Sequence, residues 1–227
     1  MSNSESAAEK KNAPMKYKTR DLLLDVAEEL FTDHGFDGTS VRDITEQAGT
    51  RLASINYHFG TKKSLFIAVI MRRATVLCEE RLVMLRQIKI HSMDAQAALH
   101  KWVDAFVQPL LKHSTKGDPG WKNYCRLIAQ TSTYRQAYED STVREVFDPP
   151  AFAFIKSLQQ ILPHLSEQQL QYAFQFMLGT TLYVFTENLR LDGMTDGKYR
   201  SNDMNNIFPC LLKFISGGIM NLHAHNE

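Results

Sequence analysis

The sequence is poor in residues that staple a chain. Its three cysteines, Cys78, Cys125 and Cys210, stand far apart, so neither a disulfide framework nor a zinc cluster is expected. They read as reduced thiols. No apolar run approaches the ~20 residues of a membrane span. The opening MSNSESAAEKKNAP lacks the apolar stretch of a signal peptide. It reads as a disordered arm over residues 1–15, and the protein is expected in the cytoplasm with no membrane partner. No alternating strand pattern with a hairpin signal occurs, and no internal repeat. A nucleophile elbow, a phosphate-cradling glycine loop and an HExxH pair are all missing. Adjacent acids such as Glu79 and Glu80 point to different helix sides and make no catalytic dyad. His223 and His225 would be two metal ligands on a fraying terminus. No enzyme activity, cofactor or metal site is therefore expected.

What is present is helical spacing, with 44% hydrophobic and 22% charged residues, ordinary values for a globular chain. The net charge of +1 hides an asymmetry. Residues 10–73 carry 11 Lys and Arg against 8 Asp and Glu, whereas residues 74–227 carry 15 of each. The excess permits an anionic partner near the N-terminus.

A first helix is predicted from about Tyr17 to His34, with Leu22, Leu23, Val26, Ala27, Leu30 and Phe31 on one face and Gly35 as its stop. Thr39 or Ser40 caps a second, short helix, with Asp43 near its positive end; Val41, Ile44 and Ala48 point inward. Gly49 closes it. A third short helix spans Leu52 to about His58 with Ile55 inward. Thr61 caps a long fourth, Lys62 to about Ile90. Further helices are predicted over Asp94–His113, Trp121–Tyr138, a stretch interrupted or kinked at Asp148-Pro149-Pro150 and ending near Pro163, then residues 167–191 and Asn205–Leu222. Loops are predicted at Lys116–Gly120 and Asp192–Asn202. The fold class is all-α: a helix-turn-helix domain over residues 16–61 and a larger helical domain over 62–227, with the seam inside the fourth helix.

The chemistry lies in residues 39–66. Two short helices meeting at a glycine-containing turn are the layout of a DNA-binding helix-turn-helix. Ala53, Ser54 and Asn56 leave one face of the third helix small and polar. Small side chains allow close approach to base edges, and Asn can pair bidentately with adenine. Arg51, Tyr57, His58, Lys62 and Lys63 surround that face with donors suited to phosphates. Packing roles stay open for some of them: His58 as a core-edge histidine, Tyr57 against the first helix, and the lysines as a solvated pair.

The segment from Thr19 to Ile70 resembles the TetR family of repressors. The resemblance is carried by A-x-x-L-F-x-x-x-G-F at Ala27–Phe36, T-S-V-R-D-I at Thr39–Ile44, Ala48-Gly49, and Y-H-F-G-T-K-K-S-L-F at Tyr57–Phe66. It implies that Leu52, Ala53, Ser54 and Asn56 fall on the recognition helix, that Tyr57 and His58 meet the DNA backbone, and that Lys62 takes the phosphate-binding position. It also implies that Thr39 and Ser40 form the backbone-contacting start of the second helix. The apolar Leu52 departs from a polar base contact at that position.

The same resemblance implies an all-helical C-terminal domain that dimerises through its last two long helices and holds a small-molecule effector. The apolar surface of residues 167–191 is too wide for one neighbour, and Gly217-Gly218 lie within the last helix. A four-helix interface between two copies is expected. The central helices are rich in aromatics, and an apolar cavity with a few polar groups is the usual ligand site. The candidates are Trp102, Phe106, Phe154, Phe176 and Tyr183, with Arg126, Gln130 and Tyr134 as polar contacts, joined by His100 and Asn188. Phe176–Gly179 (F-M-L-G) and Phe208–Phe214 (F-P-x-L-x-x-F) are similar to the subgroup sensing long-chain fatty acids or acyl thioesters. The expected partners are thus double-stranded operator DNA, a small-molecule effector and a second copy of the chain, and the expected activity is repression relieved by the effector. The competing reading is a helical dimeric adaptor, or a small-molecule-binding protein, without DNA binding.

Overall fold

The computed structural model describes residues 5–131 and 140–222, and among them every regular element is helical. The chain divides into two compact units, residues 1–72 and 73–227.

The first unit holds α1 (Glu5–Gly38), α2 (Val41–Gln47), α3 (Leu52–His58) and the first part of α4 (Lys62–Arg86). Helix α1 begins well before the predicted Tyr17, taking in Glu5–Lys16. That stretch is rich in the good helix formers Ala, Glu and Lys. Its backbone leaves the helical region at Gly35 (φ 72°), where the stop was expected. Leu23, Ala27 and Phe31 from α1, Ile44 from α2, Ile55 from α3 and Leu65 and Val69 from α4 are completely buried. Each large side chain of this set contributes about 1.5–3 kcal/mol by leaving water. The Phe66 ring meets Phe31 edge-on at 5.0 Å and Phe36 at 4.9 Å.

The second unit holds the rest of α4, a short 3-10 turn (Ile90–Ser92), α5 (Ala95–Lys116), α6 (Pro119–Thr131), α7 (Ser141–Ile161), α8 (Glu167–Phe185), α9 (Arg190–Met194) and α10 (Met204–Met220). Helix α5 packs on α6, α7 and α10, and α8 packs on α6, α7 and α10. Asp94 caps α5 through Ala97 N (2.8 Å), and Ser166 caps α8 in a reciprocal box with Gln169.

Several sequence expectations are corrected here. The loop predicted at Lys116–Gly120 shrinks to Gly117 and Asp118, because Asp118 caps α6 through Trp121 N (3.0 Å). Gly117 is required by close approach: a Cβ there would collide with His113 O and come within 2.7 Å of Trp121 Cβ. Pro149 and Pro150 do not interrupt α7, which runs through both. The fixed φ of proline is a helical φ, and each of the two withholds one backbone donor from the helix. Helix α8 stops at Phe185 rather than 191, where Glu187 (φ 48°) and Leu189 (φ 56°) turn left-handed. The loop predicted at Asp192–Asn202 is partly α9, and the Asp192 carboxylate accepts from Ser201 N and Oγ to close it. The part of the predicted Trp121–Tyr138 helix beyond 131, Tyr134 included, lies outside the described residues.

Candidate nucleic-acid interface

The geometry of the helix-turn-helix begins at Thr39. Its side chain is buried, and its hydroxyl donates to Leu30 O (3.0 Å) and Gly35 O (2.9 Å), fastening the end of α1 to the start of α2. Next to it, Ser40 and Asp43 form a capping box: Asp43 N donates to Ser40 Oγ (3.1 Å) and Ser40 N to the Asp43 carboxylate (2.8 Å). Hydrogen bonding to the Ser40 side chain, and then to its backbone N–H, holds the Asp43 carboxyl below its ordinary value. Gln47 on α2 donates to Glu29 on α1 (3.1 Å).

The turn between α2 and α3 rests on Gly49, whose φ of +60° is a left-handed conformation that L side chains rarely adopt. Thr50 N then donates to Thr45 O (2.9 Å). Helix α3 is anchored by Ile55, which is completely buried, while Leu52, Ala53, Asn56 and Tyr57 are exposed and Ser54 is half-buried. A helix of two turns held by one buried side chain leaves most of its circumference open to a groove-sized partner.

Around α3 the donors gather as the sequence suggests. Arg51 is exposed at its N-terminus. The half-buried His58 ring meets Tyr57 edge-on at 5.0 Å. The Lys62 ammonium stands 4.3 Å from the Phe36 ring centre, a cation–π contact that orients it. Thr61 caps α4 through Ser64 N (3.0 Å). Spacing arguments did not single out Arg20, whose guanidinium packs 5.3 Å from the Phe59 ring centre at the other end of α3. They also passed over Arg42, exposed on α2 and paired with Glu46 (2.8 Å). Tertiary packing alone brings Arg20 to α3, whereas the i,i+4 pairing of Arg42 was available locally.

In the second unit the described candidate ligand residues differ widely in burial. Trp102 and Phe154 are completely buried and Phe106 nearly so, in an edge-to-face chain with Phe174. The Trp102 indole N–H donates to Phe154 O (3.0 Å) and Ser157 Oγ (2.9 Å). These three side chains are packed core. Arg126 and Gln130 are half-buried on α6. Phe176 and Tyr183 are corrected outright as lining of an interior cavity: they stand 60% and 57% exposed, because α8 turns Leu170, Ala173, Met177 and Thr181 inward instead. A shallow hollow of about 1090 Å³ is lined by Tyr199, Ile207, Cys210, Leu211 and Phe214, none of them a candidate. Among the described residues no cluster of His, Cys, Asp and Glu could hold a metal ion, and no helix is long and apolar enough to cross a membrane.

Comparison with known proteins agrees with this layout. Residues 23–69 match the family described as "Bacterial regulatory proteins, tetR family". Residues 104–218, about half of the chain, match "Tetracyclin repressor-like, C-terminal domain". The HTH-type transcriptional repressor AcnR of Corynebacterium diphtheriae is 29% identical over 108 residues, covering 46% of this chain and 54% of AcnR, so the chain spans about half the length of that relative. Among solved structures, FadR from Bacillus subtilis in complex with stearoyl-CoA superposes with a TM-score of 0.52 at 18% identity, covering 87% of this chain and 97% of that one. AibR in complex with isovaleryl coenzyme A and operator DNA gives 0.56 at 17%, covering 86% and 97%. At such identities the likeness shows the fold. The two family matches, on a chain with this helix-turn-helix, establish that it belongs to the TetR family of bacterial DNA-binding transcriptional regulators, a family of regulators and not of enzymes.

Proposed function

We propose that the chain is a repressor that works as a homodimer, placing two copies of α3 in successive major grooves of a palindromic operator. A small apolar or amphipathic effector held by the second unit releases it. The observation that carries the reading is α3 itself. It is a short helix fastened by Ile55, with Ala53 and Asn56 exposed and Arg51, Tyr57, His58 and Lys62 around it. In this reading Ala53, Ser54 and Asn56 approach base edges, and Arg51, Tyr57, His58, Lys62 and the capped start of α2 at Ser40 meet phosphates. Thr39 serves through its backbone and its buried hydroxyl.

The dimer reading is supported by two exposed stripes. Tyr172, Phe176, Gly179 and Tyr183 recur at helical spacing on α8, and Cys210, Phe214 and Gly217 do so on α10, Phe214 at 71% exposure. A Cβ added at Gly179 or Gly217 meets nothing within 4 Å. An apolar surface of this kind marks an interaction site, and small residues within it let helices approach closely. For the effector, the acyl thioesters bound by FadR and AibR support an acyl compound as its class. Helix α4 has residues in both units. A shift of α4 on ligand binding changes the spacing of the recognition helices from the about 34–36 Å that consecutive grooves demand. The ligand must then bind the released state a few kcal/mol more tightly. Binding chromosomal DNA places this work in the cytoplasm.

The deciding experiment is a footprint on the DNA flanking the protein's own gene, followed by duplex titration across salt. Protection of two half-sites one helical turn apart, weakening steeply with salt, is the expected result. A dimer that protects none of that DNA and shows no salt-dependent preference for any flanking duplex overturns the reading.

A further inference from the structure

Arg81 lies on the part of α4 that belongs to the second unit, and it is buried, with 6% of its surface accessible. Its Nε donates to Phe106 O (2.8 Å), and its guanidinium carbon stands 3.8 Å from the centre of the same residue's ring. Two contacts to one residue fix the guanidinium plane and occupy one edge of it. The other edge, carrying both terminal nitrogens, makes no hydrogen bond to the protein, and neither nitrogen is among the fully enclosed atoms that lack a partner. No carboxylate of the described residues pairs with Arg81. Glu80, next to it in sequence, is bound to Lys112 and His113. Burial drives its pKa down, and the groups that act on its charge are two thiols and a phenol, Cys78, Cys125 and Tyr124, with no carboxylate among them.

A buried cation without a counter-charge is costly, and native proteins pair such groups. The cation–π contact offsets only part of that cost. The unused edge of a guanidinium is a planar two-donor fork that matches a carboxylate. One arginine with neutral surroundings balances one negative charge, which favours a carboxylate over a dianionic phosphate. We propose that Arg81 is the anion-binding residue of the effector site and that the effector carries a free carboxylate, seated on the terminal nitrogens of Arg81. This rests on the reading that the second unit takes up an acyl effector, and it narrows that class to the free acid.

The test uses the full-length protein and its R81M, R81Q and R81K variants. The probes are the straight-chain acids octanoate, laurate and stearate, each with its methyl ester and its coenzyme A thioester. Binding is read by calorimetry and by tryptophan fluorescence. At least one acid is expected to bind the wild type, to bind R81M and R81Q about ten- to hundredfold more weakly, and to regain part of its affinity in R81K. Its methyl ester binds wild type and R81Q equally and more weakly than the acid. Without ligand, R81M is expected to melt no lower than the wild type. The proposal is overturned if acid binding ignores R81Q, if ester and acid bind the wild type alike, if no acid binds, or if the thioester depends on Arg81 as the acid does. Should R81M and R81Q fail to fold, the acid and ester on the wild type and R81K decide. Operator titration separates the two readings. Arg81-dependent acid binding that leaves operator affinity unchanged removes the release mechanism and keeps the site. Release by ester or thioester in wild type and R81Q alike does the reverse.

Discussion

Arg72 on α4 grips Glu28 on α1 at 2.6 Å, and the Glu28 side chain is almost wholly buried, with 2% of its surface accessible. The second terminal nitrogen of Arg72 reaches Asp25 at 2.6 Å. The two acids hold the guanidinium charged although burial opposes it. The pair ties α4 to α1 across 44 residues of sequence.

Arg72→Met takes the guanidinium away from the buried Glu28 carboxylate and is expected to destabilise the protein by about 3–5 kcal/mol. The double variant Arg72→Met/Glu28→Met is expected to recover most of the loss, since no charge then stays buried. Urea denaturation of the four proteins of this cycle measures the coupling. A double-variant loss equal to the sum of the two single losses would show that the pair adds nothing beyond its separate side chains.

The capping box at the start of α2 makes a smaller and more local prediction. Ser40→Ala removes one acceptor and leaves Asp43 N unsatisfied, at a cost of about 1 kcal/mol. Because α2 supports α3, operator affinity is expected to fall along with stability. Ser40→Asp, which restores a capping oxygen, is expected to recover the stability.

At the junction of α5 and α6, Gly117→Ala places a methyl against His113 O and Trp121. The indole is already stacked on the His113 ring, with centres 3.6 Å apart, so it has little room to retreat. A loss of about 1–3 kcal/mol is expected, read as a lower thermal midpoint. No change in midpoint would show that the turn relaxes freely.

The Glu80 carboxylate accepts from Lys112 (2.9 Å) and His113 (2.8 Å). Burial works against its charge, yet these bonds hold its pKa below the ordinary 4.5. A carboxyl depressed in the folded state adds stability that is present above pH 4.5 and is lost as the pH falls through the depressed value. Glu80→Gln is therefore expected to lower stability near neutral pH and to flatten its decline in acid. Parallel pH profiles for the two proteins would exclude this role.

For DNA binding, Lys62→Met is expected to weaken all sequences alike and to reduce the steepness of the salt dependence by about one phosphate contact. Asn56→Ala is expected to act on specificity, costing about 1–3 kcal/mol at one base pair and little elsewhere. Competition titrations with single-base operator variants distinguish these effects. A uniform loss for Asn56→Ala would place it on the backbone instead.

The helix-turn-helix could be located before any coordinates because its signals are local. Ser40 and Asp43 are three residues apart, Gly49 marks its turn, and Ile44 and Ile55 mark the buried sides of α2 and α3 within one or two helical turns. The ligand candidates were not legible in this way, since an aromatic at helical spacing satisfies equally well a packed core (Trp102, Phe154) or an outward stripe (Phe176, Tyr183), and periodicity does not say which neighbour covers it.

By itself the sequence determined the all-helical class and the place of the helix-turn-helix, because capping, periodicity and turn chemistry act over a few residues. Only the tertiary structure decided that Thr39 is a fastener with no exposed hydroxyl, that α7 runs through Pro149 and Pro150, and that Arg81 ends up buried against Phe106 with half of its guanidinium unused. Those outcomes depend on which distant segment arrives beside each residue, and that is set by how helices far apart in the chain share one core.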